Sequence, residues 1–234
     1  MPSLHRPLIS ALLPLCCALF AVSSAGRAAD DNSSGAGKDS ARAAQLADAV
    51  VKASGGDQWE GIKTIRFTFQ VEEPGKTEPL LTAKHVWDVA GNKDTVTWAG
   101  KTVTIDLGAP NTDGDALAAF KRWTNDSYWL LAPLKLRDHG VHLAYGGQGK
   151  LPDGRAVEQL DVSFDKVGMT SGDHYRLYVD PQTHLLLRWD YRPNPDKTIS
   201  GGWENYQKSG GLTLSTEHDF GDKRIRILDL DVQR

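Results

Sequence analysis

The sequence predicts a mainly β fold: a curved antiparallel half-barrel of about ten strands, with a few helices covering its concave face. Three observations carry this. From Ile65 to Glu72 the chain alternates, with Ile65, Phe67, Phe69 and Val71 on one side and Arg66, Thr68, Gln70 and Glu72 on the other. Side chains of a strand point to opposite faces with period two, so this is a strand with one apolar and one polar face. Similar runs recur to the C-terminus with little helical pattern between them. A sheet of that many strands curls or closes, and its apolar face must be covered.

The elements follow in order. Residues Asp30 to Lys38 are polar and small, and 29–39 reads as a disordered leader. A short helix starts near Ser40, with Ala43, Leu46, Ala47, Val50 and Val51 at helical spacing, and Gly55-Gly56 stops it. Strands come next at Thr64–Glu72 and Leu81–Val89, the second placing Ala83, His85, Trp87 and Val89 on one face. Thr95–Trp98 and Thr102–Leu107 read as a hairpin around Ala99-Gly100. Asp115 caps a helix through Trp123, and Asn125–Leu134 reads as a second helix or irregular lid ending at Pro133. Further strands are expected at Val141–Tyr145, Ala156–Phe164, His174–Asp180, His184–Tyr191, Trp203–Gln207, Leu212–Asp219 and Lys223–Val232. Gly146-Gly147-Gln148-Gly149 reads as a hairpin loop. In the last strand the apolar set switches from Ile225 and Ile227 to Leu228 and Leu230, a one-residue slip that predicts a β-bulge.

The first 28 residues read as a cleaved signal peptide: His5 and Arg6, an apolar stretch from Leu8 to Val22, then small residues at Ser23–Ala28. The expected location is therefore the periplasm, with residues 40–234 as a single domain. Both cysteines, Cys16 and Cys17, lie inside the signal segment, and neither follows the small residue that a lipidation site requires. The remaining chain then has no disulfide and no reactive thiol. Removing Arg6 and Arg27 with no acid takes the formal charge from −3 to −5. That acidity argues against nucleic acid as a partner. A monomer is expected.

Four stretches stand out together: Ala53–Gly56 with Trp59 and Ile62–Ile65; Trp123 through Trp129–Pro133; Tyr175–Thr183; and Gly210–Leu214. In these stretches the chain resembles the LolA/LolB-like superfamily of periplasmic lipoprotein carriers, and more closely uncharacterised exported proteins of that fold. The resemblance implies a half-barrel covered by helices that holds acyl chains in an apolar cavity. Relatives with the fold bind other lipids or sense envelope stress. Arg122, Arg137, Arg188 and Arg192 are all open as counterparts of the arginine that governs the family's lid.

No motif carries chemistry, so no catalytic residue, metal site or cofactor is expected and the protein is not read as an enzyme. There is no Gly-x-Ser-x-Gly elbow, no P-loop and no dinucleotide fingerprint. His139 and His142 lack a third spaced ligand, and His85, His174, His184 and His218 stand singly on strands. The aromatics are the better candidates. Trp87, Trp98, Trp123, Tyr128, Trp129, Trp189 and Tyr191, with Leu130 and Leu131 of the central segment, are the expected cavity or lid residues. Each can equally pack a core.

The first functional reading is a non-enzymatic carrier or binding protein for an acyl chain, lipoprotein or similar amphiphile. The alternative is a partner-binding envelope-stress sensor or scaffold of the same fold without lipid cargo. An enzyme using the same cavity would need a polar cluster inside it, which the strand alternation does not show. A concave face filled by tryptophan rather than hollow speaks against the carrier and for the scaffold.

Overall fold

A computed structural model describes residues 33–109, 114–165, 174–194 and 196–234. The expected signal peptide lies outside them. Among the described residues twelve strands form two antiparallel sheets that do not close into a barrel, so the predicted class holds with more strands than expected and a split sheet.

The first sheet contains β1 (Thr64–Glu72), β2 (Leu81–Asp88), β3 (Lys93–Trp98), β4 (Lys101–Asp106), β10 (Glu204–Ser209), β11 (Leu212–Asp219) and β12 (Arg224–Gln233). Its order is β10-β11-β12-β1-β2-β3-β4. The second contains β5 (Val141–Lys150), β6 (Ala156–Phe164), β7 (His174–Val179), β8 (Leu186–Asn194) and β9 (Lys197–Gly202), in chain order.

The alternation does what period two requires. Ile65, Phe67 and Phe69 are buried, while Arg66 is exposed. At Ala99-Gly100 both residues adopt positive φ, 47° and 77°, which suits the tight turn between β3 and β4. The predicted bulge is present. Arg66 pairs with Asp231 but Thr68 pairs with Leu228, so β12 carries one extra residue there. Asp229 takes φ 54° in the bulge, and its carboxylate accepts a hydrogen bond from Thr68 Oγ1 at 2.8 Å. The bulge brings Leu230 and Val232 to the core side after Ile225 and Ile227.

Several expectations need correction. The first helix, α1, spans Ser33–Ala53, so Ser40 lies within it and not at its cap. It also takes in residues 33–39 of the segment read as a leader. The central segment is one continuous helix, α2 (Gly114–Leu131), followed by a 3-10 turn at Ala132–Lys135. Gly146–Gly149 is not a hairpin loop: β5 runs through it, with a register shift between Tyr145 and Gly147 absorbing the extra residue. β9 was not anticipated, because Gly201-Gly202 and a single Ile199 give it almost no apolar signal. Gly201 is small for a reason. A Cβ there would meet Phe220 Cε1 at 2.7 Å and Trp189 Nε1 at 3.2 Å.

The chain crosses between sheets at Trp203, whose N–H donates to Leu187 O at 3.0 Å. Tyr206 Oη on β10 donates to Leu186 O at 2.9 Å. The two sheets, α1 and α2 share one buried apolar cluster. α1 is tied to the five-stranded sheet by Arg42, which pairs with the buried Glu158 carboxylate. The same oxygen accepts from Tyr145 Oη at 2.9 Å.

Candidate functional site

The space between the sheets is filled by aromatic rings, and one helix supplies many of them. On α2, Trp123, Tyr128, Trp129, Leu130 and Leu131 are all buried. Trp87 on β2 meets Trp123 edge-on at 5.2 Å. Trp189 on β8 meets Trp129 at 4.5 Å, Tyr128 at 5.9 Å and Trp203 at 5.4 Å. Tyr191 stacks on Tyr175 at 4.9 Å. The structure therefore brings together most of the sequence candidates. Trp98 is only half buried and sits at the margin under the Arg122 guanidinium, 5.6 Å from its ring centre.

Rings at these spacings attract beyond the area they bury. The packing leaves polar atoms unpaired, however. The indole N–H groups of Trp87, Trp123, Trp189 and Trp203 are buried and have no hydrogen-bond partner among the described residues. An unpaired buried donor carries a desolvation cost of about 1–3 kcal/mol. An occupant with acceptor oxygens would relieve it.

A charged cluster lies within this interior. His85 projects from the apolar register of β2, stacked on Phe67 at 4.5 Å. Its Nδ1 bonds Asp94 Oδ2 on β3 at 2.7 Å, and its Nε2 bonds Asp126 Oδ2 on α2 at 3.0 Å. All three side chains are 0–2 % exposed. Asn125 Nδ2 donates to the other Asp126 oxygen at 2.8 Å. Burial pulls the His85 pKa down, but the hydrogen bonds and charges of Asp126 and Asp94 outweigh it and push it up to about 9. His85 is thus an imidazolium joining α2 to the sheet. The sequence contained the signal: a histidine, an aspartate of the next strand, and Asp126 in the Trp123–Leu130 stripe all fall on apolar registers.

His218 is the opposite case. It lies between Trp203 and Trp129, with ring centres at 4.4 and 5.2 Å, and donates from Nδ1 to Gly202 O. Burial pulls its pKa down to about 3, so it stays neutral. The two histidines shape stability against pH. His85, shifted from 6.5 to about 9, contributes fully below pH 6.5 and loses its contribution as pH rises through 9. His218, shifted from 6.5 to about 3, contributes fully above pH 6.5 and loses its contribution as pH falls toward 3. Stability from this pair should peak near pH 6.5, with an alkaline limb on the order of 3 kcal/mol and an acid limb on the order of 5 kcal/mol. Urea midpoints measured across the pH range check this. His85→Gln should flatten the alkaline limb and leave the acid limb in place.

The arginines considered for a lid are dispersed. Arg137 pairs with Asp48 of α1 at 3.1 Å, and Arg188 with Asp190 at 3.1 Å. Arg122 covers Trp98, and Arg192 stands on the far face of the five-stranded sheet. Among the described residues no group of three or more His, Cys, Asp or Glu is placed to hold a metal. No helix among them is long and apolar enough to cross a membrane.

No protein-family model matches the chain, and no curated protein matches it in sequence. Among solved structures, it is similar to a DUF1329 family protein from Desulfovibrio piger. The identity is 12 %, covering 81 % of this chain and 92 % of that one, at a TM-score of 0.46. It is also similar to a domain from Vibrio parahaemolyticus provisionally described as an outer membrane lipoprotein-sorting protein, at 11 % identity, 83 % and 93 % coverage and a TM-score of 0.48. A third is Mycobacterium tuberculosis lipoprotein LppX, at 12 % identity, 81 % and 94 % coverage and a TM-score of 0.29. These neighbours are distant, with TM-scores below 0.5, and give this chain no function.

Proposed function

We propose that the protein is a non-enzymatic binding protein of the bacterial cell envelope whose cargo is an acyl chain, a lipidated protein or a comparable amphiphile. The interior is filled, so a carrier requires that its filling be removable. The observation that supports this reading is that so much of the filling belongs to one helix. Trp123, Tyr128, Trp129, Leu130 and Leu131 all leave the interior if α2 moves. Entry of a tail would then exchange side-chain burial for cargo burial, worth about 0.8 kcal/mol per methylene. The unpaired indoles of Trp87, Trp189 and Trp203 would meet the ester or carboxylate oxygens of the cargo.

The second reading is a partner-binding scaffold without lipid cargo. The close aromatic packing between the sheets favours it. Native mass spectrometry of protein purified from its own periplasm, followed by lipid extraction, separates the two. A near-stoichiometric acyl species supports the carrier; a clean mass with no uptake of added lipids or lipopeptides supports the scaffold. The displacement step has its own control. Lys101 and Asp115 join β4 to the start of α2 at 2.7 Å, and residues 33–234 contain no cysteine. A Lys101→Cys/Asp115→Cys variant closed with a short thiol crosslinker should lose uptake that the reduced variant keeps. Equal uptake by both would show that α2 does not need to move.

A further inference from the structure

The five-stranded sheet has a second face, turned away from the aromatic interior, and a groove of about 670 Å³ lies on it. Its shape follows from side-chain size. His142, Ser163, His174 and Arg192 are cross-strand partners and form one row across β5, β6, β7 and β8. Ala144, Asp161, Arg176, Asp190 and Ser200 form the next row. Small Ala144 and Ser163 leave a low floor, and taller His142, His174, Arg176 and Arg192 wall it.

The second row is held by its own hydrogen bonds. Arg176 grips Asp161 through two bonds of 2.7 and 2.8 Å, which neutralises the one carboxylate among the described residues that line the groove. Asp190 accepts from Ser200 Oγ at 2.6 Å, Tyr178 Oη at 2.7 Å and Arg188 Nε at 3.1 Å. At the rim Asp165 orients His142 through a 2.6 Å bond to Nε2. The first row is different. Arg192 is exposed and makes no ion pair among the described residues, and no described carboxylate binds His174. In that row His174 stands between Ser163 and Arg192, so a hydroxyl, an imidazole and a cation follow one another on three successive strands. The chain's net charge is −3, so this concentration of donors runs against the overall charge.

We propose that this groove binds a phosphate group, held by Arg192, His174 and the Ser163 hydroxyl over the floor at Ala144. His142 and His174 stand two strand spacings apart, about 9.6 Å, which leaves room for a tetrahedral oxyanion between their rings. A hydroxyl, an imidazole and a guanidinium on three successive strands suit its several acceptor oxygens. The site is independent of the interior and holds whether or not the interior takes cargo. A soluble phosphate ester and a phospholipid headgroup present the same chemistry.

Imidazole resonances of the whole mature protein, followed during titration with inorganic phosphate, test this. His174 and His142 should shift saturably while His139 and His184 stay in place. Arg192→Gln, an exposed substitution that leaves the core intact, should weaken binding about tenfold. Sedimentation with phosphatidylglycerol and phosphatidylcholine vesicles distinguishes the sources. Arg192-dependent capture by the former supports a lipid headgroup, and phosphate binding without vesicle capture supports a soluble ester. Absence of both saturable shifts and vesicle capture overturns the site. So does binding that Arg192→Gln leaves unchanged.

Discussion

Replacing His85 with alanine is expected to lower the unfolding free energy by about 3–5 kcal/mol, the range for removing one partner from a buried charged pair. The reason is what remains. Asp94 and Asp126 would stay in the interior without the imidazolium that joins them, and Asp94 Oδ1 already lacks a partner. Phe67 would also lose its stacked neighbour. Urea denaturation with both far-ultraviolet and tryptophan signals measures the change. His85→Ala combined with Asp94→Asn and Asp126→Asn should recover part of the loss, because the stranded charges are gone. A loss below about 1 kcal/mol in the single variant would mean that the cluster contributes like an ordinary surface pair. A loss that the triple variant does not reduce would point to packing instead.

Trp129→Ala carries an effect of similar size and reports on function as well. Trp129 is 4 % exposed and touches Trp189, His218 and Phe220 with ring centres at 4.5, 5.2 and 5.4 Å. Truncating a buried tryptophan costs about 3–5 kcal/mol through lost contacts and the cavity left behind. That cavity lies where the cargo of a carrier would sit. The variant should therefore be less stable and take up more of a fluorescent fatty acid than the native protein. The scaffold reading shares the first expectation and not the second. A variant that is destabilised yet binds no fatty acid beyond the native level would remove support for α2 as a displaceable plug. A linked gain in melting temperature on adding fatty acid would separate true binding from exposure of apolar surface.

The strands were readable because their faces differ. β1 and β6 match their expected bounds residue for residue, and the β12 bulge showed as a slip in the apolar register. β9 escaped because a glycine pair beneath a ring carries no periodic signal. The continuity of α2 escaped for another reason. Asn125, Asp126 and Ser127 look like a break, yet Asp126 is drawn into the interior by His85 and Asn125 by Asp126. A pairing between residues far apart in sequence overrode local preference. Most of the aromatic candidates pack against one another, whereas whether the space between the sheets is hollow or filled depends on where α2 lies, which no local pattern encodes. The row of Ser163, His174 and Arg192 was invisible because it exists only across strands.

β1 lies between β2 and β12, so its neighbours come from opposite ends of the sheet's sequence. A chain that emerges N-terminus first presents β1 and its hairpin neighbours with one flank bare until Arg224–Gln233 arrives. For that interval a row of unpaired backbone groups beside Phe67 and Phe69 is open to any other extended chain. The five strands β5 to β9 follow one another in pairing order and face no such wait. Assembly is then expected to be staggered, one sheet closing as it is made and the other only when the last strand is released. A chain cut short before β12 would keep the first and lose the second.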